Sequence, residues 1–225
     1  MPVGLLSTLD TKGREIAFLV ACLQERGLST LVVDVGLFEP QIVPDISREA
    51  VAAAAGVDLR SLLGRPRDEI MTTMGRGAGE VLRRLHHEGR LDGVLGLGGN
   101  QGTSIVCGAM RQLPLGLPKL MVSTVASGNM RPYIGATDIA MLFSVADLLG
   151  GPNPVIEGVL RNAAAAMAGM ATSAQTSLSP ETAPLVALSA LGNTHPAVAR
   201  SMELLRAAGY QVAAFHASGA CGSAM

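Results

Sequence analysis

Tryptophan is absent from this chain of 225 residues, and aromatic residues make up only 3% of it. Stacking platforms of the kind that hold single-stranded nucleic acid are therefore poorly supplied. Charge is sparse and balanced: 17 Lys+Arg against 18 Asp+Glu leave a net charge of −1. Nothing chain-wide favours DNA, RNA or an anionic membrane as the principal partner. Lysine occurs only at positions 12 and 119. The three cysteines, Cys22, Cys107 and Cys221, stand far apart with no CxxC pair or zinc spacing, which excludes a disulfide framework. Buried thiols in a reducing cytoplasm are the expectation.

The amino terminus lacks the basic region and apolar run of a signal peptide. Gly93 to Met110 carries no charge over 18 residues, long enough to suggest a membrane span. Six of those positions are glycine and two are Asn100 and Gln101, so a span is rejected.

What the chain does have is apolar mass, 48% hydrophobic against 16% charged residues, enough for a folded core. Its length suits one to two domains. Val3 to Leu6 reads as a strand, Ser7 to Gly13 as a polar loop, and Glu15 to Arg26 as an amphipathic helix. Leu28 to Val33 is a second, β-branched strand closing on Asp34. Helices are expected around Arg48 to Ala55 and Asp68 to Glu88. Leu91 to Leu97 forms the third strand, opening onto a glycine loop and a helix from Thr103 to Arg111. Lys119 to Val122 is the fourth, and Asp138 to Leu149 and Asn153 to Thr172 read as helices. Such alternation predicts an α/β fold, a Rossmann-like parallel sheet with helices on both faces, over residues 1–174. A linker at 175–184 precedes a strand, helix and strand at 185–225, a partial second Rossmann-like subdomain.

In such sheets ligands gather beyond the carboxyl ends of the strands, and three loops there are rich in glycine or hydroxyls. Gly98, Gly99, Asn100, Gln101, Gly102 and Thr103 join a strand to a helix and suit a phosphate, although Gln101 breaks the dinucleotide fingerprint. A tight strand-to-helix turn is the plainer alternative. Thr8, Asp10, Thr11 and Lys12 follow the first strand without forming a Walker motif. Lys12 can act as a point charge on a phosphate and Asp10 can hold Mg²⁺ through water; a solvated lysine and a capping aspartate explain them equally. Ser123, Thr124, Ser127 and Gly128 suit a second oxyanion cradle or a ribose contact, with no GxSxG elbow for a nucleophile. Asp34 occupies the place where an acidic residue often accepts hydrogen bonds from ribose hydroxyls; capping or turn formation explains it equally.

Five segments in order, Thr8-Leu9-Asp10-Thr11-Lys12-Gly13, Val33-Asp34-Val35-Gly36, Gly96 to Thr103, Ser123 to Gly128 and Pro132-Tyr133-Ile134-Gly135, resemble one family. It comprises uncharacterised bacterial and fungal proteins related to the ATP-binding domain of a plant tomato mosaic virus resistance protein. The resemblance implies two Rossmann-like subdomains, ATP bound by the first, and self-association into a homo-oligomer. Relatives often carry Gly-Ser-Gly-Gly where this chain has Gly99-Asn100-Gln101-Gly102, and they are typically longer. An enzyme acting on a small phosphorylated or carboxylated metabolite, and a protein-interaction module, are the alternatives to nucleotide binding.

Overall fold

The computed structural model describes residues 2–173, 183–219, 221–222 and 225. Two compact units divide the chain, one formed by 1–134 and 138–175, the other by 135–137 and 176–225. In the first unit the order is β1 (Pro2–Ser7), α1 (Leu9–Gln24), β2 (Ser29–Asp34), α2 (Arg48–Ala54), a 3-10 turn (Leu59–Leu62), α3 (Arg67–His87), β3 (Gly93–Gly98), α4 (Asn100–Met110), β4 (Lys119–Ser123), α5 (Arg131–Ile134), β5 (Ala140–Phe143) and α6 (Pro154–Ser173). The five strands form one parallel sheet in the order β2-β1-β3-β4-β5.

Alternation along each strand sends side chains to two cores. Val3, Leu5, Leu95, Leu97, Leu120 and Val122 pack with α1 and α6, whereas Leu6, Val94 and Met121 pack with α2, α3 and α4. Residues buried on both faces explain why these strands read as continuous apolar runs. Strand β3 has glycine at positions 93, 96 and 98, and packing demands it. A Cβ at Gly96 would lie 2.4 Å from Val106 Cγ1 and 2.6 Å from Met121 Sδ, and one at Gly98 would lie 2.9 Å from Gly102 backbone atoms.

The structure alters three local expectations. Asp138 to Leu149 is not a helix: Ala140–Phe143 pairs with β4 as an edge strand, Leu120 opposite Ala140 and Ser123 opposite Phe143. A short apolar run has no periodicity to separate strand from helix, and the open edge of β4 decides it. The supposed loops at Ser7 to Gly13 and Gly98 to Thr103 are shorter than read, because α1 begins at Leu9 and α4 at Asn100. Finally, Cys22 and Cys107 are buried but Cys221 is exposed; burial pushes the Cys107 thiol up to about 12.

The second unit holds β6 (Leu185–Ala190), a 3-10 turn, α7 (His195–Ala207) and β7 (Gln211–His216), with β6 and β7 parallel. Most of the expected linker, 175–182, lies outside the described residues. Among the described residues no helix is long and apolar enough to cross a membrane.

Candidate functional site

Strands β1 and β3 are neighbours, yet the chain leaves them in opposite directions, into α1 on one face and α4 on the other. That reversal opens a crevice at the carboxyl edge of a doubly wound sheet. Each exit is abrupt: Thr8 alone separates β1 from α1, and Gly99 alone separates β3 from α4. The N-cap Gly99 has no side chain to cap the helix, and Thr103 N bonds to Gly99 O at 2.8 Å. By helix geometry the amides of Asn100, Gln101 and Gly102 have no partner within the helix. They carry the positive end of its dipole.

Threonines flank this turn on both sides. A Cβ built on Gly102 would lie 4.0 Å from Thr8 Oγ1, and one on Gly99 would lie 3.7 Å from Thr124 Oγ1. Neither glycine has a positive φ, and at neither would an added Cβ crowd the fold. Packing explains Gly98 in this loop and leaves Gly99 and Gly102 without a structural requirement. Two buried hydroxyls support the turn from beneath, Thr103 Oγ1 and Ser123 Oγ at 2.7 Å. Ser7 joins β1 to β3 through Oγ donating to Leu97 O at 2.7 Å. At the outer side Tyr133 Oη donates to Asn100 Oδ1 at 2.6 Å.

Other expected site residues are engaged elsewhere. Asp34 is fully buried, and its Oδ1 accepts from Leu9 N at 3.1 Å and Gly36 N at 2.8 Å. It caps the first turn of α1 from the neighbouring strand and is not open to a ribose. Burial pushes its carboxyl above the usual aspartate range, helped by the charge of Asp10 and opposed by those two amides and by Arg48. Lys12, expected at a phosphate, donates from Nζ to the Leu148 carbonyl. Arg14 Nη1 donates to Gly150 O at 3.3 Å and Gly151 N to Glu15 Oε1 at 3.1 Å, so three side chains from one turn of α1 strap the 148–151 loop. Asp10 Oδ2 accepts from Phe38 N at 3.2 Å. Thr11 Oγ1 lies 3.1 Å from Thr8 Oγ1.

The crevice thus gathers Thr8, Gly99, Asn100, Gln101, Gly102 and Thr124. Ser127 and Gly128 stand exposed beyond β4, and Thr103 and Ser123 form the buried support. Sequence reading passed over Tyr133 as a partner of Asn100, and over the 148–151 strap; only the spacing of Tyr133 from α4 in three dimensions connects them. Among the described residues no group of three or more His, Cys, Asp or Glu is placed to hold a metal ion.

The model of the uncharacterised protein family (UPF0261) N-terminal domain matches residues 1–176, and that of its C-terminal domain matches 183–225. The chain belongs to this family. A UPF0261 protein of Clostridium tetani is 41% identical over 223 residues, 98% of this chain and 55% of that protein. UPF0261 protein RA0729 of Rhizobium meliloti is 41% identical over 224 residues, 99% of this chain and 54% of that protein. The chain spans about half the length of these curated relatives. The ToMV susceptible protein tm-1(GCR26) of Solanum lycopersicum is 39% identical over 163 residues, 71% of this chain and 22% of that protein. Every residue of the crevice lies within the match to the family's N-terminal domain.

Proposed function

We propose that the UPF0261 N-terminal domain of this chain binds ATP at the β1/β3 crevice, with the phosphates on the α4 N-terminus. The observation that carries the reading is the pair Gly99 and Gly102. Gly102 lies in the first turn of α4, where glycine costs up to about 1 kcal/mol relative to alanine. Gly99 is the N-cap, where glycine gives up the capping bond that a serine, threonine, asparagine or aspartate would make. Neither position needs glycine for space or for a left-handed backbone. An approaching anion supplies the missing reason, because a bare backbone lets its oxygens reach the amides.

The hydroxyls of Thr8 and Thr124 flank those amides and can bond phosphate oxygens beside them, and the exposed Ser127 beyond β4 is assigned to the ribose. Lys12 and Asp34 are left out of the contact, since the first is tied to Leu148 and the second is buried. Mg²⁺ would arrive with the nucleotide, Asp10 holding it through water from the first turn of α1. The reading is one of binding, in which backbone dipoles supply most of the phosphate attraction.

Titration calorimetry with ATP, with and without Mg²⁺, tests it. Saturable binding and a thermal upshift are expected, since ligand at 100 times its dissociation constant stabilises the fold by about 2.7 kcal/mol. Absence of both a heat signal and a thermal shift at millimolar ATP would overturn the reading.

A further inference from the structure

A cavity of about 580 Å³ lies between α3, α4 and α5, its nearest α4 residue, Ser104, one helical turn beyond Asn100 of the crevice. Its α3 wall is Asp68, Met71, Thr72, Gly75 and Arg76, and its α4 wall includes Ser104, Gly108 and Arg111. These positions recur at helical spacing, so each wall is one continuous helix face. The size falls within the range of small-molecule sites, about 300–1,000 Å³.

Glycines let the two walls meet. A Cβ on Gly75 would lie 3.0 Å from Ile105 O, so the helix backbones touch there. Gln112 fastens the pair, its Nε2 donating to Gly75 O at 3.0 Å and to Gly108 O at 3.1 Å. Gly75 packs against Ile105 and Gly108, and Gly79 against Gln112, so the two helices run in the same direction. Asp68 then marks the N-terminal end of the cleft. Arg76 stands eight residues, about 12 Å, further along α3, and Arg111 lies toward the C-terminal end of α4.

Charge in the cleft is unspent. Arg76 donates to Ala55 O at 3.0 Å and Arg111 to Pro132 O at 3.5 Å, but among the described residues neither guanidinium has a carboxylate partner, and Asp68 has no cation. Two guanidinium forks, one from each wall of a cleft lined also by Met71, Gly75 and Gly108, suit a phosphate or carboxylate. A carboxylate at the opposite end suits a hydroxyl or amine donor.

We propose that this cleft is a second binding site, independent of the nucleotide reading, for a small elongated anion whose phosphate or carboxylate sits between Arg76 and Arg111 and whose donor group faces Asp68. Tyr133 connects the two places, lining the cleft while bonding Asn100 at the start of α4.

The test is calorimetry on the 225-residue chain at low salt, with glycerol 3-phosphate as the phosphate probe and malate as the carboxylate probe. Saturable one-site binding of either is expected, weakened at least tenfold in both Arg76→Gln and Arg111→Gln, with ATP affinity unchanged. Arg111→Lys keeps the charge, loses the fork and reads the same contact if the glutamine variant fails to fold; it should also bind more weakly. Absence of saturable binding of both probes at about 10 mM would overturn the proposal, and so would unchanged affinity in the variants. Parallel loss of ATP binding would place the nucleotide in this cleft and overturn the assignment of two separate sites. Failure of ATP to bind, with probe binding intact, would count against the nucleotide reading alone.

Discussion

Lys119, whose side chain is completely buried, donates from Nζ to Asp138 Oδ1 at 2.8 Å and also to Pro114 O at 2.7 Å and Leu117 O at 2.8 Å. Its three N–H bonds tie the entry of β4 to the segment leading into β5. Burial pushes the Asp138 carboxyl up, but the Lys119 bond, the Gly116 amide and the lysine charge outweigh it, holding the group below the usual aspartate range.

Lys119→Met should therefore destabilise the chain strongly. Breaking a buried pair costs about 3–5 kcal/mol, and the lower end is expected because Asp138 is 39% exposed. Urea denaturation checks this. Asp138 contributes stability above its unfolded pKa, and that share is lost as pH falls through its lowered native value. The difference between wild type and Asp138→Asn should accordingly shrink in acid below about pH 4.

Two glycines of one turn should behave oppositely. Gly98→Ala forces a Cβ to 2.9 Å from the α4 backbone, and overpacking of this kind costs about 1–3 kcal/mol. Gly102→Ala meets nothing closer than 3.7 Å and should leave stability equal or up to about 1 kcal/mol higher. Its effect should fall on ATP, with affinity at least tenfold weaker as a methyl group intrudes beside the amides. Thermal melts and calorimetry on the two variants separate the roles.

Asp34 gives the contrary pH signature to Asp138. Its native pKa is raised, chiefly by desolvation, so the folded state holds the proton more tightly than the unfolded one. Its contribution to stability is greatest below the unfolded pKa and declines as pH rises through the raised native value. Asp34→Asn keeps an acceptor for Leu9 N and Gly36 N and should remove that decline. Asp34→Ala strands both amides, costing about 1–3 kcal/mol for each. Denaturation midpoints from pH 4 to 7 report both outcomes.

Lys12→Ala removes the bond to the Leu148 carbonyl and should lower stability by about 0.5–1.5 kcal/mol. Hydrogen exchange should rise over residues 148–151, while ATP affinity changes less than twofold. A tenfold loss of ATP affinity, larger for ATP than for AMP, would instead put the ammonium on the distal phosphates.

Local pattern determined much of this protein. Strands β1 to β4, the helices between them and the parallel α/β class follow from runs of apolar residues whose spacing repeats within a few positions. The glycine turn after β3 was legible for the same reason, since strand, turn and helix are contiguous. Tertiary structure decided what the side chains at those turns do. Asp34 meets Leu9 across 25 residues, Lys12 meets Leu148 across 136, and Thr103 meets Ser123 across 20. No spacing rule encodes such pairs, because they depend on which strands become neighbours. The same holds for β5, an apolar run that the free edge of β4 turned into a strand, and for the Arg76–Arg111 cleft. Its two walls are ordinary helix faces until Gly75 and Gly108 let the helices meet.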